Sequence, residues 1–182
     1  QQMKITQGWL SAGTRLESPN TDKRPDSADI SLLVIHNISL PPEQFGGPYI
    51  GQLFTNCLNP ADHPYFAEIC DLKVSSHLLI DRDGVIIQFV PFGQRAWHAG
   101  VSEFDGRSNC NDFSIGIEME GSDNTPYTDS QYSALAKVTD LLLEHYPLLC
   151  KERITGHSDI APGRKTDPGP AFDWPRYTED LQ

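Results

Sequence analysis

Phe113-Ser114-Ile115-Gly116-Ile117-Glu118-Met119-Glu120 alternates apolar with polar or small side chains along its length. A strand has a side-chain period of two, so Ile115, Ile117 and Met119 share one face and Ser114, Gly116, Glu118 and Glu120 the other. The first face is expected to pack and the second to look outward. The period then changes. Behind Thr128 or Asp129 as N-cap, Tyr132, Leu135, Ala136, Leu142, Leu143 and Tyr146 recur at helical spacing until Pro147 stops the run. Upstream, Ile30-Ser31-Leu32-Leu33-Val34-Ile35 is an apolar run rich in β-branched residues, as suits a strand buried on both faces that ends at His36. Val74–Ile80 and Val85–Val90 flank Asp81-Arg82-Asp83-Gly84, and the Asp-Gly pair supplies the positive φ angles of a hairpin turn. The expected fold is a single mixed α/β domain over residues 1–182, with a central mixed β-sheet flanked by helices.

Around this frame the chain is less regular. Residues 1–30 carry Pro19, Asn20, Asp22, Pro25 and Asp26 without apolar periodicity, and are expected to form an irregular N-terminal arm. Leu40–Gly47 reads as loop and Tyr49–Thr55 as a short helix. Ile154–Pro170, rich in Gly and Pro, also reads as loop, yet it is crowded with His157, Asp159, Arg164, Lys165 and Asp167, and such loops often carry chemistry.

A net charge of −11 argues against a partner bound through a nucleic-acid backbone or anionic lipid, both of which need clustered cations. A small-molecule partner is expected. No apolar stretch approaches the roughly 18–20 residues of a spanning helix, and Gln1-Gln2-Met3-Lys4 lacks the apolar centre of a secretory signal. A cytoplasmic monomer, not bound to membrane, is the expectation. Cys57, Cys70, Cys110 and Cys150 lie far apart without C-x-x-C pairing, so free buried thiols in a reducing compartment are expected.

Catalytic zinc sites use three protein ligands, with imidazole and carboxylate common among them. His36 at a strand end, with His157 and Asp167 ten positions apart downstream, is a workable trio, although a histidine in such a place is also a common hydrogen-bonded core residue. Glu118 is a candidate proton carrier or a solvated carboxylate, with Glu120 as its rival on the same face; Gly116 beside Glu118 is expected to leave room for metal or substrate. Lys165 is a candidate electrophile or a surface cation. Trp97 is either a packing residue or an aromatic platform for a ligand, and Asn37, next to His36, is a candidate hydrogen-bonding residue. His63, His77, His98 and His145 are given no ligand role.

The segments Val34-Ile35-His36-Asn37-Ile38-Ser39, Arg95-Ala96-Trp97-His98-Ala99-Gly100, Asn111–Glu118, Thr155-Gly156-His157 and Lys165-Thr166-Asp167-Pro168-Gly169, in this order, closely resemble the AmpD family of N-acetylmuramoyl-L-alanine amidases. The resemblance implies a zinc-dependent amidase acting on 1,6-anhydro-muropeptides in peptidoglycan recycling, with the zinc at one edge of the sheet. It implies zinc ligation by His36, His157 and Asp167, catalysis by Glu118 and Lys165, and substrate contacts from Asn37, Lys73, Ala96 and Trp97. Lys73 and Asn109 stand where an arginine is common in the family, and neither replaces its planar fork. Two rival readings are a binding module of the same fold that does no chemistry, and a secreted amidase acting on intact wall.

Overall fold

The computed structural model describes residues 2–182; Gln1 lies outside the described residues. In chain order the strands are β1 (Ile5–Thr6), β2 (Trp9–Leu10), β3 (Thr14–Arg15), β4 (Thr21–Lys23), β5 (Leu32–Ile38), β6 (Leu78–Ile80), β7 (Ile86–Gln88), β8 (Gln94–Ala96), β9 (Glu103–Phe104), β10 (Arg107–Ser108), β11 (Ser114–Glu120) and β12 (Ile154–Gly156). The α-helices are α1 (Tyr49–Phe54), α2 (Phe66–Ile69), α3 (Asp129–His145), α4 (His157–Ile160) and α5 (Trp174–Asp180).

A six-stranded mixed sheet runs in the order β12-β5-β11-β6-β7-β3. The first four of these strands are parallel, β6 and β7 form the antiparallel hairpin, and β3 lies parallel to β7. One face of the sheet, with Leu33, Ile35, Ile115, Ile117 and Met119, packs on Tyr132, Leu135, Val138 and Leu142 of α3 and Tyr177 of α5. Thr128 starts α3 through a reciprocal cap: its hydroxyl accepts from the Gln131 amide, and the Gln131 side chain accepts from the Thr128 amide. Such a cap stabilises a helix by about 1 kcal/mol.

Four expectations need correction. All seven residues of β11 are buried, so the face carrying Ser114, Gly116, Glu118 and Glu120 does not look into solvent. That face is covered at one end by Ala99, Cys110 and Phe113, which pack with Leu32 and Val34 of β5, and elsewhere by α1 and α2. The alternation is right; the exposure is wrong because the cover comes from segments distant in sequence. The N-terminal arm is likewise not irregular throughout: β3 extends the main sheet, and β4 pairs antiparallel with β8. Two-residue strands carry no periodicity and owe their form to the partner strand. Ile154–Pro170 is not all loop, since it begins with β12 and α4. The Asp159 carboxylate accepts from the Gly156 amide and the Thr155 hydroxyl, tying off the turn between them. The four cysteines are free, but only Cys110 is buried.

Candidate active site

Register builds the site. Glu118 of β11 stands directly beside His36 of β5, and Gly156 at the end of β12 stands beside Ile35, which brings His157 level with His36. His157, His36 and Glu118 therefore form one row across three parallel strands, at the carboxyl ends where open α/β sheets place their ligands. The row reaches the β12 edge of the sheet, although His36 itself is on the second strand in. Asp167 returns to this row because its carbonyl accepts from the Ser158 amide at 2.9 Å.

The four side chains converge. His36 Nδ1 lies 3.0 Å from His157 Nδ1 and 3.3 Å from Asp167 Oδ2, and His157 Nδ1 lies 3.2 Å from Asp167 Oδ1. Tetrahedral zinc with bonds near 2.0–2.1 Å holds its ligand atoms about 3.3 Å apart, so this spacing fits the ion. The outer nitrogens are already engaged: His157 Nε2 is 3.0 Å from the Ala99 carbonyl and His36 Nε2 is 2.9 Å from His98 Nδ1. Both Nδ1 atoms are thus turned inward beside a carboxylate, which is the chemistry of a metal cradle.

Electrostatics agree with that role. Burial pushes the His36 imidazole down to about 4, keeping it neutral and able to donate a lone pair. Burial would push Asp167 up, but hydrogen bonds with His157 and His36 outweigh it and hold the carboxyl well below the usual range. Glu118 is opposite: burial first, and the Asp167 charge second, push it well above a normal carboxyl. Its Oε2 is 4.0 Å from His36 Nδ1, and its Oε1 is buried without a hydrogen-bond partner. An orphaned oxygen of this kind, beside the cradle, is free to take a proton or hold water.

The row forms the floor of a cavity of about 710 Å³. Leu53, Phe54, Tyr65, Ile69 and Val74 make an apolar wall, and Ser122, Asp123, Asn124, Arg164 and Thr166 a polar one. Asn37, Trp97 and Lys165 also line it. Lys165 is exposed, and its charge is felt at both Glu118 and His36. Asn37 donates its side-chain N–H groups to Asp123 Oδ1 and the Pro168 carbonyl, leaving its oxygen for a ligand. Trp97 donates from Nε1 to Asp22.

Not every expected residue reaches the cavity. Ala96 is fully buried in the core behind Trp97, and Lys73 is exposed beside the wall residues Leu72 and Val74 without lining the cavity itself. Asn109 adopts left-handed backbone (φ 58°), a conformation asparagine tolerates better than most residues, and it too lies outside the cavity wall. Glu120 accepts from the Gly46 and Arg82 amides, so it anchors two loops instead of facing the cradle. Gly116 does not leave room for metal or substrate: the His98 ring fills the space above it. Asp123 escaped the sequence reading, because only folding brings it to Asn37 and Thr166.

The family model for N-acetylmuramoyl-L-alanine amidases matches residues 26–170. The chain belongs to this amidase family. It is 60% identical to the 1,6-anhydro-N-acetylmuramyl-L-alanine amidase AmpD of Escherichia coli, over 96% of this chain and 95% of that protein. Among solved structures, a crystal structure of an AmpD selenomethionine derivative superposes with a TM-score of 0.96 at 57% identity, covering 99% of this chain and all of the other. The E. coli amidase AmiD, solved with the substrate anhydro-N-acetylmuramic acid-L-Ala-D-gamma-Glu-L-Lys, superposes with a TM-score of 0.60 at 27% identity, covering 98% of this chain and 65% of that one. Segments quoted from the sequence as the amidase signature supply the cradle, Glu118 and Lys165. Among the described residues no helix is long and apolar enough to cross a membrane.

Proposed function

We propose that this amidase is a zinc-dependent hydrolase that cleaves the amide bond between the lactyl group of 1,6-anhydro-N-acetylmuramic acid and the L-alanine of a stem peptide. It does so as a monomeric, one-domain enzyme of peptidoglycan recycling in the cytoplasm. The observation that carries this reading is the His157–His36–Glu118 row beside Asp167 on the floor of a large cavity, in a chain closely similar to proteins named for that substrate. Unpaired, exposed Cys57 and Cys150 suit a reducing compartment.

His36, His157 and Asp167 would hold the metal. Zinc, when bound, acidifies water and polarises a carbonyl. Glu118 accepts the proton of the attacking water and then delivers it to the departing amine of L-alanine, so one carboxyl acts as base and then as acid. Glu118, whose proton affinity burial raises, would be readied for the first of these steps by positive charge held in the cradle. Lys165 presents its ammonium to the oxyanion that forms as the carbonyl carbon becomes tetrahedral. Asn37 offers its oxygen to a substrate N–H, and Trp97 offers an apolar face, with Ala96 supporting it from behind. Lys73, exposed beside the cavity wall, would meet a stem-peptide carboxylate.

Mass spectrometry of products tests this directly. Zinc-restored protein should convert anhydro-muropeptide into the free anhydro sugar and a peptide with L-alanine at its N-terminus, while metal-depleted protein should not. Binding of the muropeptide with no cleavage under either condition would establish a binding module, and faster cleavage of intact sacculus would move the site of action to the wall.

A further inference from the structure

His98 is one of four imidazoles buried together, and its two ring nitrogens are both occupied. Nδ1 lies 2.9 Å from His36 Nε2, and Nε2 lies 3.0 Å from the Ser114 hydroxyl. The ring cannot slide, because it presses on Gly116, where a Cβ would come within 2.5 Å of the His98 Cγ. Its backbone is fixed as well: the amides of His98 and Ala99 both donate to Asn111 Oδ1. Behind Ser114, the buried Arg24 guanidinium donates to the Ser114 carbonyl at 2.8 Å.

Hydrogen bonding here is directional. An imidazole that gives Nδ1 to a metal carries its hydrogen on Nε2, and that N–H needs an acceptor to set the ring's orientation. For His36 the acceptor in line is His98 Nδ1. His98 can accept there only with its own hydrogen on Nε2, from which it donates to Ser114. His77 does not compete, since its Nδ1 accepts from the Gly116 amide and its Nε2 faces the Gln94 carbonyl. The other ligand, His157, is held by the carbonyl of Ala99, the very next residue.

We propose that His98, backed by Ser114, is a positioning residue: its Nδ1 holds His36 in the tautomer that presents Nδ1 to the metal, an imidazole doing what a carboxylate or carbonyl does behind most metal-bound histidines. Together, residues 98 and 99 orient both imidazole ligands. This inference rests on the zinc reading of the cradle.

Zinc affinity of the metal-depleted protein, measured by competition with a chelator, tests it apart from turnover. His98→Leu should weaken zinc about 10–100-fold, the usual effect of losing such a partner, while the melting temperature of the metal-free protein stays near that of the parent. His98→Asn, whose side-chain oxygen replaces Nδ1 as acceptor, should bind zinc within about threefold of the parent. Equal affinity in parent and His98→Leu, or His98→Asn as weak as His98→Leu, would overturn the proposal. Where His98→Leu fails to fold, nitrogen-15 correlation spectra of the zinc-loaded parent decide: His98 should carry hydrogen on Nε2 and none on Nδ1, and the opposite tautomer would overturn the proposal. A parent protein that takes up no zinc would overturn the metal reading itself, and this inference with it, before any variant is compared.

Discussion

Residue 118 holds a carboxyl group whose proton affinity is raised by burial and by Asp167, next to a cationic lysine on the cavity wall. If it moves protons without holding metal, Glu118→Gln should retain one zinc per chain and lose about 10²–10⁴-fold in kcat. Glu120→Ala should keep most activity and instead lose about 1–3 kcal/mol of stability, because the Gly46 and Arg82 amides lose their acceptor. Activity assays and denaturant titrations on the two variants would expose the wrong choice of carboxylate by an exchange of these phenotypes. Removing ligands has a different signature: elemental analysis of the His36→Ala, His157→Ala double variant should find almost no zinc, and full occupancy would refute the cradle. Lys165→Ala should lower kcat by about 10²-fold or more with KM little changed, since an oxyanion is met only in the transition state. A raised KM at constant kcat would make Lys165 a substrate anchor only. Lys165→Arg keeps the charge but replaces a compact ammonium with a broad planar group, and is expected to restore only part of the loss.

Among the elements, β11 shows best what could be read from residues alone. Its alternation sorted Ile115, Ile117 and Met119 from Glu118 and Glu120 correctly, and helical spacing located α3 to within a residue at each end. Burial of the second face was not readable, because nothing in Ser114–Glu120 announces that residues 96–113 will lie over it. Residue types made the cradle a workable trio and the family pattern singled it out: His36 and His157 are 121 positions apart, and it is strand register that makes them neighbours. Gly116 gives this element a test. In Gly116→Ala the new methyl group would overlap the His98 ring, so the strand or the ring must move. We expect a stability loss of about 1–3 kcal/mol in urea titrations together with weaker zinc binding. An alanine variant matching the parent in both would show that the ring has space the structure does not reveal.

Across the whole molecule, buried histidines set the response to acid. Burial lowers His36 to about 4, His77 to about 3 and His98 well below its ordinary value. Each group takes up a proton near pH 6.5 once unfolded but resists it when folded, so native stability is complete above that pH and drains away as pH falls toward the folded values. Glu118 has the opposite sign, favouring the fold as pH drops, and offsets part of this loss. Three groups against one predict that the urea midpoint of the metal-free protein declines between pH 7 and pH 5; a flat or rising midpoint would contradict it. The row of His157, His36 and Glu118 has a temporal consequence as well. Glu118 and His36 lie on β11 and β5 and His157 directly follows β12, three strands joined by long crossovers, and non-local parallel pairing is slow because chain closure precedes its reward. The cradle therefore comes into being near the end of folding, and a refolding chain should capture zinc in step with its slowest sheet-forming phase, the ion arriving as a seal on a finished architecture instead of a nucleus for it.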